Sequence, residues 1–163
     1  MTQTNIAFIG AGNMAISLIN GLISKGKNPA NIWVSAPSEA SRTKAAALGV
    51  NVSHNNNEIA SHADVIVVAV KPQVLKQVVS PLKTVIDGTN KVVISIAVGI
   101  DLSSLQAWLG ETTAIVRCMP NTPSLLGLGA TGLYANSNAS AEQKTLASDI
   151  LNAVGISIWV DNE

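Results

Sequence analysis

The stretch Gly10-Ala11-Gly12-Asn13-Met14-Ala15 has the spacing G-x-G-x-x-A. It directly follows an apolar run, residues 5–9, and opens an amphipathic segment, which is the context a dinucleotide-binding fingerprint requires. Gly10 allows the tight turn, Gly12 lets backbone approach a pyrophosphate, and Ala15 permits close packing of helix on strand. The helix N-terminus then offers free N–H groups and the positive end of its dipole to the phosphates. The bland alternative is a glycine turn with no ligand. The position of the motif in the chain favours the ligand.

Other polar groups extend this site. An NAD-preferring site carries Asp or Glu about 20 residues after the glycines, to bind the ribose 2′-hydroxyl. Here the corresponding segment is Ser35-Ala36-Pro37-Ser38, and no carboxylate occurs until Glu39. Ser38 and Arg42, one helical turn apart, form a hydroxyl-plus-guanidinium cradle for a 2′-phosphate, so NADP(H) is expected, with NAD(H) at lower preference. The plain alternative makes Ser38 a helix cap and Arg42 a solvated charge. Lys71-Pro72 follows a strand-like run, where Pro also suits the first helical position. Met119-Pro120-Asn121-Thr122-Pro123 is a stiff turn, since two prolines fix φ while Asn and Thr supply local hydrogen bonds.

Several reactive residue types are not assigned to the site. The lone Cys118 reads as a small buried apolar group. His54 and His62 have no Cys or carboxylate at ligand spacing and read as surface histidines, so no metal site is expected. Trp33, Trp108 and Trp159 are scattered, which favours packing over a stacking platform. Asp101 reads as a helix cap. No catalytic residue is assigned.

The elements that must position these groups alternate regularly. Strand-length, β-branched blocks fall at residues 5–9, 32–34, 50–52 (weakly), 65–70, 92–96, 114–116, 130–133 and 157–160. Helical spacing links Met14, Leu18, Ile19, Leu22 and Ile23, and further helices are predicted at 39–48, 102–109 and 141–154. Residues 73–86 are helical in pattern but contain Pro81, so a break or second start is expected there. Asn55-Asn56-Asn57 reads only as a polar cluster. Strand and helix in alternation predict an α/β, Rossmann-like, doubly wound and mostly parallel sheet in one domain, 1–163.

Composition agrees. The chain has 163 residues, 47% of them hydrophobic and only 12% charged, which excludes a disordered, highly solvated chain. Ten basic and ten acidic residues leave no field to attract nucleic acid or anionic membrane, so neither is an expected partner. One cysteine, no membrane-length apolar run and no signal-peptide pattern give the expectation of a soluble, cytoplasmic protein.

Three segments together carry a family resemblance: Ile9-Gly10-Ala11-Gly12-Asn13-Met14, Ala69-Val70-Lys71-Pro72, and Met119-Pro120-Asn121-Thr122-Pro123 with the glycine-rich 127–134 that follows. In this order and spacing the chain resembles the pyrroline-5-carboxylate reductases over essentially its whole length. The resemblance implies NADPH-dependent reduction of the C=N bond of 1-pyrroline-5-carboxylate to L-proline, the last step of proline biosynthesis. It implies cofactor contacts at Ile9, Gly10, Ala11, Gly12, Asn13, Met14, Ser35, Asn56, Ala69, Val70, Lys71, Pro72, Ser95, Ile96 and Ala97. Asn56 would bond the adenosine-side ribose, and Asn121 or Thr122 would face the amide or substrate. Family members carry a following all-helical domain that forms the oligomer and most of the substrate pocket. Nothing here matches it, so a fragment, inactive alone, is expected. The alternatives are a stand-alone dinucleotide-binding or redox-sensing module, or another imine or hydroxyacid reductase.

Overall fold

The computed structural model describes residues 3–163. Eight strands form one sheet: β1 (Ile6–Ile9), β2 (Ile32–Ser35), β3 (Asn51–Ser53), β4 (Val65–Val68), β5 (Val92–Ser95), β6 (Ala114–Met119), β7 (Gly129–Ala135) and β8 (Gly155–Trp159). Their order is β3-β2-β1-β4-β5-β6-β7-β8. The first six strands of that order are parallel. Strand β7 runs antiparallel to β6, pairing Tyr134 with Arg117, and β8 is parallel to β7. The order reverses between β1 and β4, where Ile9 stands opposite both Ser35 and Val68. In a doubly wound sheet that reversal opens a crevice at the carboxyl ends of the strands.

The helices are α1 (Asn13–Ser24), α2 (Glu39–Ala46), α3 (Asn56–His62), α4 (Pro72–Val79), α5 (Lys83–Ile86), α6 (Leu102–Leu109) and α7 (Ala141–Leu151). They cover both faces. Ile6 and Phe8 of β1 join Leu18 and Leu22 of α1 and Ile150 of α7 in one apolar layer. Ala7 and Ile9 point the other way, towards Ile59 of α3, Leu75 of α4 and Leu105 of α6. Central strands therefore lose both faces to burial, and so they read as unbroken apolar runs rather than alternating ones.

The break expected at Pro81 is a 3-10 turn, Ser80–Leu82, between α4 and α5. One helix departs from the expectation. Residues read as a bare polar cluster are the cap and first turn of α3. Asparagine is a weak helix former, but the Asn55 side chain accepts from the N–H groups of Asn57 and Glu58, and Ile59 and Ala60 are fully buried. Capping and packing override propensity there. The expected helix 141–154 ends earlier and tightens into a 3-10 turn, Asn152–Val154.

The sheet is not covered everywhere. Ile156, Ile158 and Val160 on and just beyond β8 are exposed at 61%, 58% and 45%, and Met119 of β6 at 55%. At the opposite ends of the strands, the Lys27 ammonium donates to the Thr4 carbonyl oxygen. Burial holds its pKa below the ordinary 10.5, against the opposing pull of Asp64. Among the described residues, no helix is long and apolar enough to cross a membrane.

Candidate functional site

The turn from β1 into α1 is built from backbone. Gly10 takes φ +104°, and a Cβ there would lie 2.5 Å from the Ala69 carbonyl oxygen. Its N–H donates to the Ser35 carbonyl at 2.9 Å, while the Ala69 N–H donates to the Ile9 carbonyl at 2.8 Å. Three strand ends are thereby locked around one glycine. Gly12 differs. It is the N-cap of α1 at φ −74°, and a Cβ there would meet nothing within 4 Å. No side chain caps α1 and no acidic residue sits in its first turn. Helices α2, α3, α6 and α7 are each capped by a side chain, from Ser38, Asn55, Asp101 and Ser140. The first N–H groups of α1 thus face open space with the helix dipole behind them, a ready anion site. Ala15 is fully buried against the sheet.

A cleft of about 670 Å³ opens beside this turn, between Gly10, Ser35 and Pro37 on one side and Asn56, Val70 and Val74 on the other. The Ser35 hydroxyl donates to Asn56 Oδ1 at 2.6 Å. His54 stands at the same cleft and is exposed.

The remaining predicted residues divide. Ser38 and Arg42 lie outside the residues lining the cleft. Ser38 accepts from the Ser41 N–H at 3.1 Å, and the Arg42 guanidinium donates to the carbonyls of Ala36 and Pro37 at 2.8 and 2.9 Å. One terminal nitrogen of the guanidinium thus fastens the β2–α2 loop. Lys71 is the exposed N-cap of α4, and Pro72 its first residue. Ser95 is buried, its Oγ accepting from the Ala97 N–H at 3.3 Å; Ile96 is half-buried and Ala97 almost fully buried. Asn121 precedes a 3-10 turn, Thr122–Leu126. Its Oδ1 accepts from the Ala130 N–H at 3.0 Å, so its carbonyl is engaged in bracing the loop.

The unassigned residues keep to structural surroundings. Cys118 is buried with its thiol donating to the Ser95 carbonyl at 3.3 Å, and burial pushes its pKa far above the ordinary thiol range. His62 stacks on Trp33 with centroids 4.3 Å apart. Among the described residues, no three His, Cys, Asp or Glu side chains cluster as a metal site.

Residues 5–99 match the family model described as NADP oxidoreductase, coenzyme F420-dependent. The chain is 48% identical over its full length to the pyrroline-5-carboxylate reductase of Pseudomonas aeruginosa, covering 60% of that relative. The solved pyrroline-5-carboxylate reductase from Coxiella burnetii superposes with a TM-score of 0.96 at 44% identity, covering 98% of this chain and 60% of that one. The chain belongs to the pyrroline-5-carboxylate reductase family. It spans about 60% of the length of these curated relatives. The crystal structure of the Plasmodium falciparum pyrroline carboxylate reductase has NADP bound; it shares 31% identity and a TM-score of 0.87, covering 99% of this chain and 59% of that one. An imine reductase from Myxococcus stipitatus, at 19% identity and a TM-score of 0.77 over 97% of this chain and 55% of that one, shares the fold alone.

In this pyrroline-5-carboxylate reductase family chain, Pro37, Val74 and Gln77, none of them an expected contact, also line the cleft, as does His54, which the sequence reads as a surface histidine. A signal was present for part of this. Asn55 followed three residues later by Glu58 is an N-terminal capping pattern, and it places 54–57 at a helix start facing β2.

Proposed function

We propose that this chain is the cofactor-binding unit of a pyrroline-5-carboxylate reductase and holds NADPH across the carboxyl ends of β1, β2, β4 and β5. One observation carries the reading: the uncapped N-terminus of α1 opens at Gly12, where the backbone is unobstructed, beside a cleft at the sheet's reversal point. The NADP-bound relative from Plasmodium falciparum supports the choice of nucleotide.

The residues fit such a ligand by their chemistry. Free N–H groups of the first turn of α1 bind a diphosphate, and no carboxylate in that turn repels it. Ser35 and Asn56 offer polar atoms at the β2 end of the cleft. Towards the other end, Val70 lines the cleft, and the reading places Pro72, Ile96 and Ala97 beside it as apolar contacts of the nicotinamide half, with Lys71 and Asn121 as polar ones. Bound NADPH supplies a hydride to the imine carbon of the substrate. The chain's own part is to bind and orient, since the cofactor carries the chemistry.

The imino acid must also be held within near-attack distance. We infer that the intact enzyme completes that pocket by homo-oligomerisation outside these residues, and that the 163-residue chain turns over little by itself. The single cysteine, buried and unpaired, suits a cytoplasmic setting. The test is calorimetric titration of the chain with NADPH, and an assay of pyrroline-5-carboxylate reduction by the complete gene product. Saturable binding and proline formation are expected. A chain that binds no nicotinamide dinucleotide, or a complete enzyme that forms no proline, overturns the proposal.

A further inference from the structure

Beyond β8 the backbone turns back over the sheet. The Val160 N–H donates to the Leu133 carbonyl at 2.9 Å, and three residues later the chain has crossed β7 to reach β6. Glu163 fastens it there. Its Oε1 accepts from Arg117 Nη1 of β6 at 2.6 Å and from the N–H of Leu102, the first residue of α6, at 2.5 Å. Asp101 caps the same helix through the Ser104 N–H at 2.8 Å, so the two carboxylates take different N–H groups of one turn. The Arg117 and Glu163 side chains are 13% and 30% exposed, and a pair so shielded is screened less than a surface one. Guanidinium and helix dipole both favour an anion at this point.

Apolar packing gives this strap little support. Val160 is 45% exposed, and Asp161 and Asn162 are exposed. A hollow of about 170 Å³ lies beside it, lined by Met119, Gly132, Tyr134 and Val160. The two groups that hold Glu163 are the roots of two loops. Leu102 ends the connection that leaves β5 at Ile96 and Ala97. Arg117 stands two residues before Met119, where β6 passes into the turn that carries Asn121. Both loops leave the carboxyl ends of their strands, on the side of the sheet assigned to the nicotinamide half.

We propose that Glu163 is a positioning residue: its bonds to Arg117 and to the first N–H of α6 tie the two nicotinamide-side loops to each other and to the chain leaving β8, which sets where the imino acid is received against the nicotinamide. The inference rests on the proposed reductase reading, with its substrate pocket completed outside these residues, and adds to it the link between the two parts.

The test measures both Michaelis constants in the complete gene product. Glu163→Gln keeps the shape and removes the charge. The KM for pyrroline-5-carboxylate is expected to rise about tenfold, the worth of one charge-assisted bond. The KM for NADPH is expected to stay within about twofold, because β4 and β5 separate the diphosphate turn at the end of β1 from β6. A smaller folded fraction would lower the apparent kcat and move neither KM. Arg117→Met is expected to act as Glu163→Gln does, and Arg117→Lys, which keeps the charge, to stay within about threefold of the parent. The double variant Arg117→Met with Glu163→Gln should exceed the larger single effect by no more than about twofold, since one interaction is removed. An imino-acid KM within about twofold of the parent in Glu163→Gln, an equal rise in the KM for NADPH, or fully additive losses in the double variant overturns the inference and leaves the reductase reading standing. An unsubstituted complete enzyme that forms no proline overturns that reading, and the inference with it.

Discussion

Replacing each of the two turn glycines by alanine separates folding from binding. At Gly10 the backbone sits at φ +104°, and a methyl carbon would lie 2.5 Å from the Ala69 carbonyl oxygen and 2.9 Å from its carbon. The strained backbone costs about 1–3 kcal/mol, and forcing β1 from β4 adds about 1–3 kcal/mol more. A total near 4 kcal/mol is a large part of the ~5–15 kcal/mol that stabilises a domain. It corresponds to a loss of roughly 8–16 °C in Tm for a chain of this size. At Gly12, φ is −74° and nothing lies within 4 Å, so alanine is accommodated without strain. Its Tm should stay within about 2–4 °C of the parent, because the ~0.4–1 kcal/mol that a stiffer unfolded chain contributes is offset by the roughly 1 kcal/mol by which alanine is a poorer helix N-cap than glycine. NADPH affinity should nonetheless fall at least about tenfold, because the methyl occupies the space in which a diphosphate approaches the backbone. Scanning calorimetry and NADPH titration on both variants supply the four numbers. The reasoning is refuted if Gly12→Ala binds NADPH as tightly as the parent, or melts as early as Gly10→Ala.

Three further outcomes are expected. Ser140→Ala removes the capping box in which Ser140 accepts from Gln143 N–H and Gln143 returns a bond to the Ser140 N–H; denaturant unfolding should show a loss of about 1 kcal/mol. The Cys118 thiol, buried and held protonated, should be silent to a thiol-specific disulfide reagent in the native chain and react stoichiometrically in denaturant. Asp87 and Asp101 both titrate below their ordinary 3.8, chiefly through hydrogen bonds with Thr112 and Ser104. Groups depressed by folding contribute stability that is complete above the unfolded pKa and lost as pH falls through the folded one. Tm should therefore drop as pH is lowered below about 4, and Asp101→Asn, which can still cap α6, should show a shallower drop.

Much of the fold was legible because central strands declare themselves by composition. The eight strand blocks expected from β-branched runs correspond to β1 to β8, and the Pro81 break falls where proline forbids a continuous helix. Helix α3 was missed because Asn56, Asn57 and His62 carry no apolar period; its stability comes from Ile59 and Ala60 meeting the sheet. Arg42 shows the same limit within the site. Its type and spacing fit a phosphate cradle, yet its guanidinium bonds two carbonyls of its own loop.

Local chemistry alone determined the glycine turn, the helix caps and the strand-forming runs, because each depends on residues within one or two turns of one another. The placement of Ser35 against Asn56, 21 positions along the chain, was decided by tertiary structure. Only the parallel pairing of β2 with β1 and β3, with α3 capped beside them, brings that hydroxyl to that amide. Which polar group faces the cleft depends on which partner has already taken its other atoms, and those partners come from distant segments.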